Sequence, residues 1–99
     1  MKFDILLDFR NTDIQKILRE IERCDLAISL KNENEEIKEI IFGNMSKMAA
    51  AILKDEMRYM GNIYEGDIIK AQEKILSIIS YLIDTGEIAL KSEGEEYDS

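Results

Sequence analysis

The sequence predicts an all-α protein, a compact bundle of about five to six helices with a long C-terminal helix as its spine. Proline, the residue that breaks helices, does not occur among the 99 residues. Apolar residues make up 45% of the chain and recur mainly at helical spacing. This apolar content is enough for one buried core, and the length suits a single domain.

The N-terminal segment KFDILLDF is ambiguous. Phe3, Ile5, Leu7 and Phe9 alternate with mostly polar residues, which is the period of a strand. No other segment of the chain offers a partner strand, and we therefore expect a short helix or an extended packing arm.

The segment TDIQ that follows has the form of a capping box, in which Thr12 caps a helix and Gln15 reaches back to it. The apolar stripe of this helix comprises Ile14, Ile17, Leu18 and Ile21. A short helix over CDLAISLK should come next and stop near the NEN turn at 32–34. Its cysteine, Cys24, is the only one in the chain, and we expect a small half-buried side chain there rather than a reactive thiol.

The third helix should begin at Asn34, because Asn favours the N-cap and two glutamates then meet the positive end of the helix dipole. Its predicted inner stripe comprises Ile37, Ile40, Ile41 and Met45.

Residues 44–61 predict an amphipathic helix between a Ser46 cap and Gly61. At 100° per residue, one side gathers Ala49, Leu53, Met57 and Met60, and the other carries Lys47, Asp55 and Arg58. Met48 and Ala51 also point outward, beside Asp55. An exposed methionine among surface charges is the anomaly of this helix.

The last helix, from about Glu65 to Thr85, is the longest, and Gly86 ends it. One apolar stripe contains Ile68, Ala71, Ile75, Ile78, Ile79 and Leu82, and beside it lie Ile69, Leu76 and Ile83. Because so wide an apolar surface must contact several neighbours, this helix is the predicted spine. The domain is expected to span 1–91, with a disordered acidic tail over 92–99.

The composition excludes several functions. There is no histidine and no glycine-rich phosphate loop, and the acidic pairs Glu35–Glu36 and Asp55–Glu56 are best interpreted as solvated charges. We therefore expect a binding module, not an enzyme, without cofactor or metal. The net charge of −8 argues against nucleic acid and anionic membranes as partners and favours a cationic protein surface.

No membrane insertion is expected either. Asp4 and Asp8 interrupt any signal peptide, and Lys70, Glu73 and Lys74 interrupt the longest apolar region. A soluble cytoplasmic domain is the expectation.

Several pieces of the sequence, in order over residues 12–90, resemble the C-terminal domain of the flagellar motor switch protein FliG. They are IQKILRE, DLAxxLK, IFxNMSK, AAxxLKDEM, DIIKAQEKIL and TGEI. Several independent pieces in register are a specific signal.

The resemblance implies a compact all-α domain at the outer rim of the rotor's cytoplasmic ring, next to the inner membrane. It implies no enzymatic activity and no cofactor. The domain would receive torque from the cytoplasmic loop of the stator protein MotA, with the rotor protein FliM and neighbouring FliG copies as further partners. Phe3 falls near the end of the family's linker, and we therefore expect an excised C-terminal piece, with a naturally truncated chain as the alternative.

The helix over 44–61 matches the family's torque helix, which carries a ridge of alternating charge. The ridge implies five stator-binding positions in this chain, Lys31, Met48, Asp55, Glu56 and Tyr64. Lys31, Asp55 and Glu56 keep the family's charge, whereas Met48 and Tyr64 stand where the family has arginine. The family's turn proline is also lost, at Asn62.

Two interpretations of this loss remain open. In the first, the chain is a working rotor domain that relies on Asp55 and Glu56 or faces a co-adapted stator. In the second, it is a divergent FliG-like paralogue that keeps its rotor contacts and contributes little torque. Met48 is either a tolerated surface residue or part of a small apolar contact spot with Ala51 and Tyr64.

The family also implies an apolar patch for FliM. Leu26, Ile37 and Ile52 are the candidates, with ordinary core positions as the alternative for each of them.

Overall fold

A computed structural model describes residues 1–91, and these residues form six helices and no strand. The predicted tail over 92–99 lies outside the described residues. The all-α prediction is confirmed. The elements are a 3₁₀ helix at Phe3–Asp8, followed by α1 at Asn11–Glu20, α2 at Arg23–Ser29, α3 at Glu35–Gly43, α4 at Lys47–Met60 and α5 at Glu65–Asp84.

Helix α5 is the spine of the bundle. It packs mainly against α2 and also contacts α1, while α4 packs against α2 and α3 against the 3₁₀ helix. Its buried stripe comprises Ile68, Ala71, Ile75, Ile79 and Leu82, close to the predicted set. Ile69, on the edge of that stripe, is 48% exposed.

The N-terminal segment is a short helix, which was one of the two predicted alternatives. Its core contacts come from Phe3, Leu6 and Phe9, at intervals of three residues, whereas Ile5 and Leu7 are only partly buried. A spacing of three is the period of a 3₁₀ helix, and the period-two alternation in the sequence was misleading. The Lys91 backbone N–H donates to the Asp8 carbonyl at 2.9 Å and joins the two ends of the domain.

The predicted caps are confirmed at α3 and α4. The Asn34 side chain accepts from the Ile37 N–H at 3.0 Å, and the Ser46 hydroxyl accepts from the Ala49 N–H at 3.1 Å. Gly61 follows α4 with a φ of 68°, a conformation that glycine adopts without steric cost.

The predicted cap at Thr12 is wrong. Helix α1 begins at Asn11, so that Thr12 lies inside the helix. The Gln15 amide donates to the Asn44 side chain at 3.2 Å, and Asp13 is buried and accepts from the Ala89 N–H at 3.3 Å. Contacts with distant segments therefore replace the local capping box. Cys24 is exposed, contrary to the half-buried expectation.

Replacing Ile75 by alanine should test the role of α5 as the spine. Ile75 is 0% exposed, and the variant should lose about 2–5 kcal/mol of unfolding free energy because a cavity replaces packed methyl groups. The matched control is Ile69→Ala on the same helix, for which we expect a loss of no more than about 1 kcal/mol. Urea unfolding followed by circular dichroism measures both, and equal losses would contradict the assignment of the core.

Candidate protein-interaction site on α4

One face of α4 carries large side chains that the fold leaves in solvent. Met48 is 75% exposed, as the helical period predicts, and Tyr59 is 83% exposed. Ile52 lies between them and is 39% exposed, and Asp55 is exposed on the same face. The opposite face contributes Ala50 and Leu53 to the interior. Helix α4 therefore presents both apolar and charged groups outward.

Both acids of α4 have a cationic partner within the domain. The Asp55 carboxylate pairs with the Arg58 guanidinium one turn later at 3.0 Å. Glu56 pairs with a residue of another helix, Arg23 at the start of α2, with 2.6 Å between Oε1 and Nε. The surface around Asp55 and Glu56 therefore carries both negative and positive charges.

Lys31 lies at the C-terminal end of α4. Its ammonium group donates to the Met57 carbonyl at 2.8 Å, one of the last-turn carbonyls that have no partner within the helix. The cation also faces the negative end of the helix dipole, which is a stabilising arrangement. Lys31 is therefore close to the turn that carries Glu56.

Tyr64 lies on the connection between α4 and α5. It occupies the N-cap position of α5 without a side-chain capping bond and is 84% exposed. Of the five predicted stator-binding positions, Asp55 and Glu56 lie in the C-terminal half of α4, and Lys31 contacts its last turn. Met48 lies in the first turn of that helix, and Tyr64 follows its end.

The second predicted set, Leu26, Ile37 and Ile52, does not form a surface. Leu26 and Ile37 are 4% and 1% exposed and belong to the core, so that a partner cannot touch them in this fold. The apolar periodicity of their helices is the same for a surface patch as for the interior, and it could not tell the two apart. Ile52 alone is exposed, and it lies beside Met48 on the face of α4.

Two residues of this surface, Tyr59 and Arg23, were not predicted from the sequence. Tyr59 follows Met48 by three helical turns and could have been found by the same 100° projection. Arg23 could not, because only the packing of α2 on α4 brings its guanidinium to Glu56.

The part of the chain that the structure describes offers no group of three or more acidic or cysteine side chains placed to hold a metal ion. Within the same residues, no helix combines the length and the apolar character that spanning a bilayer requires.

Comparison with known proteins supplies the family. The family model described as the FliG C-terminal domain matches residues 1–90. The flagellar motor switch protein FliG of Thermotoga maritima is 47% identical over 94 residues, which cover 95% of this chain and 28% of that protein. FliG of Bacillus subtilis is 39% identical over 92 residues, covering 93% of this chain and 27% of that protein.

A solved structure agrees with these sequence matches. A crystal structure of part of FliG from H. pylori superposes with a TM-score of 0.87 at 31% identity, covering 89% of this chain and 39% of that one. The chain spans little more than a quarter of the length of the two relatives named above. The family model matches nearly the whole chain, and the fold is that of the solved FliG structure. The chain therefore belongs to the FliG C-terminal domain family of flagellar motor switch proteins.

Proposed function

We propose that this domain works in the flagellar rotor, where the exposed face of α4 contacts the cytoplasmic loop of the stator protein MotA and receives torque. The observation that carries the proposal is the pair Asp55 and Glu56 on α4, the first exposed and the second partly exposed, at positions where the resemblance to the family implies acids. The domain would sit in the cytoplasmic ring of the basal body, next to the inner membrane, and would take part in switching the direction of rotation.

Arg23 and Arg58 support this proposal despite the loss of the two family arginines. Their ion pairs with Glu56 and Asp55 place positive charge directly beside the acids. Exposed ion pairs contribute only about 0–1 kcal/mol, so that a basic group of the stator can displace an arginine at small cost. The displaced arginine is then available to an acid of the stator.

FliM and neighbouring FliG copies are the other proposed partners. Of the three residues predicted for the contact with FliM, only Ile52 is exposed, and a surface for FliM must therefore draw on other residues.

The second candidate function is that of a divergent FliG-like paralogue with rotor contacts and little torque. It is favoured by the exposed, uncharged side chains of Met48 and Tyr64 at positions where the family carries arginine. Charge patterning selects partners more strongly than it sets affinity, and the loss therefore bears on which stator is accepted.

A chimera distinguishes the two functions. We would attach this domain to the N-terminal parts of a standard FliG, express it in a strain that lacks FliG, and measure swimming. Since Asp55 and Glu56 are present, we expect motility from the unmodified domain. Immotile cells that regain swimming with Met48→Arg and Tyr64→Arg would instead support the paralogue, with rotor assembly checked by fluorescence of a tagged FliM.

Charge reversal tests the acids directly. Binding of the chain to a soluble fragment of the MotA cytoplasmic loop from the same organism should fall at least about tenfold in Asp55→Lys with Glu56→Lys, because two attractive charges become repulsive. The control Glu39→Lys with Glu73→Lys changes the net charge equally at exposed positions on α3 and α5. An equal loss in both double variants would show that only net charge matters and would contradict a contact on α4.

A further inference from the structure

We infer that the stator contact on α4 is held largely by an apolar stripe, and that its partner is an amphipathic helix with a Lys or Arg among its apolar side chains. The stripe comprises Met48, Ile52 and Tyr59, and we call it the α4 stripe. The inference rests on the proposed function, since it names the chemistry of the partner at the same surface.

The members of the α4 stripe lie in one line, which Asp55 interrupts between Ile52 and Tyr59. Positions 48, 52 and 59, with Asp55 between them, follow each other by three or four residues and therefore lie in one line along the helix. At 1.5 Å per residue the line is about 16 Å long, close to three helical turns. Side chains at such intervals are neighbours and can be covered by a single partner element.

Helix α4 carries more exposed large hydrophobic residues than any other helix among residues 1–91. Eight large hydrophobic residues are exposed among residues 1–91, and three of them form the α4 stripe. Single exposed apolar residues are normal, but these three share one face of one helix, where a single partner can contact all of them. The core does not require them, because α4 is anchored through Ala50 and Leu53 on its opposite face.

Asp55 favours a partner that carries positive charge. It lies inside the stripe, and its paired Arg58 lies toward one edge. A neutral apolar helix laid on the stripe would bury this carboxylate at a cost, whereas a Lys or Arg on that helix would pair with it. The net charge of −8 also favours a positively charged partner.

The convex shape of the stripe fits a helical partner. A row of side chains on one helix packs into the groove between rows on another, and helix recognition uses anchors at this spacing. Methionine and tyrosine are enriched in protein interfaces, where methionine adapts to irregular surfaces and tyrosine brings a large area with few rotatable bonds. A contact of this kind is less sensitive to salt than a ridge of ion pairs, because apolar burial is not screened.

The test measures binding of the 99-residue chain to the soluble MotA loop fragment at about 50 mM and about 500 mM NaCl. We expect wild-type affinity to fall only a few fold with salt. Met48→Ser with Tyr59→Ser should lower affinity about tenfold at both salt concentrations, the loss typical of removing buried anchors. Both side chains are at least 75% exposed, and the fold should therefore survive, as circular dichroism would show.

Tyr81→Ser is the matched control, because Tyr81 is 65% exposed on α5, away from the stripe. It should bind as the wild type does. If Asp55→Lys with Glu56→Lys abolishes binding while Met48→Ser with Tyr59→Ser does not, the apolar inference fails and the proposed function stands. If the wild-type chain does not bind the loop at either salt concentration, both fail.

Discussion

The packing of α5 against α2 is the constraint on which the rest of the structure depends. Helix α5 buries its long stripe there, and the Gln72 side chain adds hydrogen bonds to the Ser29 carbonyl at 2.9 Å and the Glu33 carboxylate at 2.8 Å. Helix α4 then packs on α2. Arg23 at the start of α2 and Lys31 just after its end both reach α4 from this segment.

This arrangement separates two tasks on α4. Its inward face, with Leu53 at 0% exposure, fixes the helix to the bundle and needs no partner outside the domain. Its outward face combines acids, their arginine partners and the α4 stripe. Charge on such a surface acts at long range and governs encounter and selectivity, whereas apolar groups act only on contact and slow dissociation. A surface with both kinds of group can select a partner by charge and retain it by apolar contact.

Most of the fold could be predicted from the sequence because helices are specified locally. The 3.6-residue period identified the main helices, and the caps at Asn34 and Ser46 depend on atoms only three residues apart. The outward direction of Met48 followed from the same period. Thr12 shows the limit, since Asp13 and Gln15 bond to segments that are distant in the chain and these contacts override the local capping pattern.

In the candidate site, too, some features follow from the sequence of one helix and others only from the packing of several helices. The sequence by itself determined the all-α fold, the amphipathic character of α4 and the position of Met48 on the same side of that helix as Asp55, because each depends on neighbours within one helix. Only the tertiary structure decided that Leu26 and Ile37 are interior, that Arg23 pairs with Glu56, and that Lys31 closes the end of α4. A helical stripe shows that a side is apolar, and the packing of other helices determines whether that side is covered.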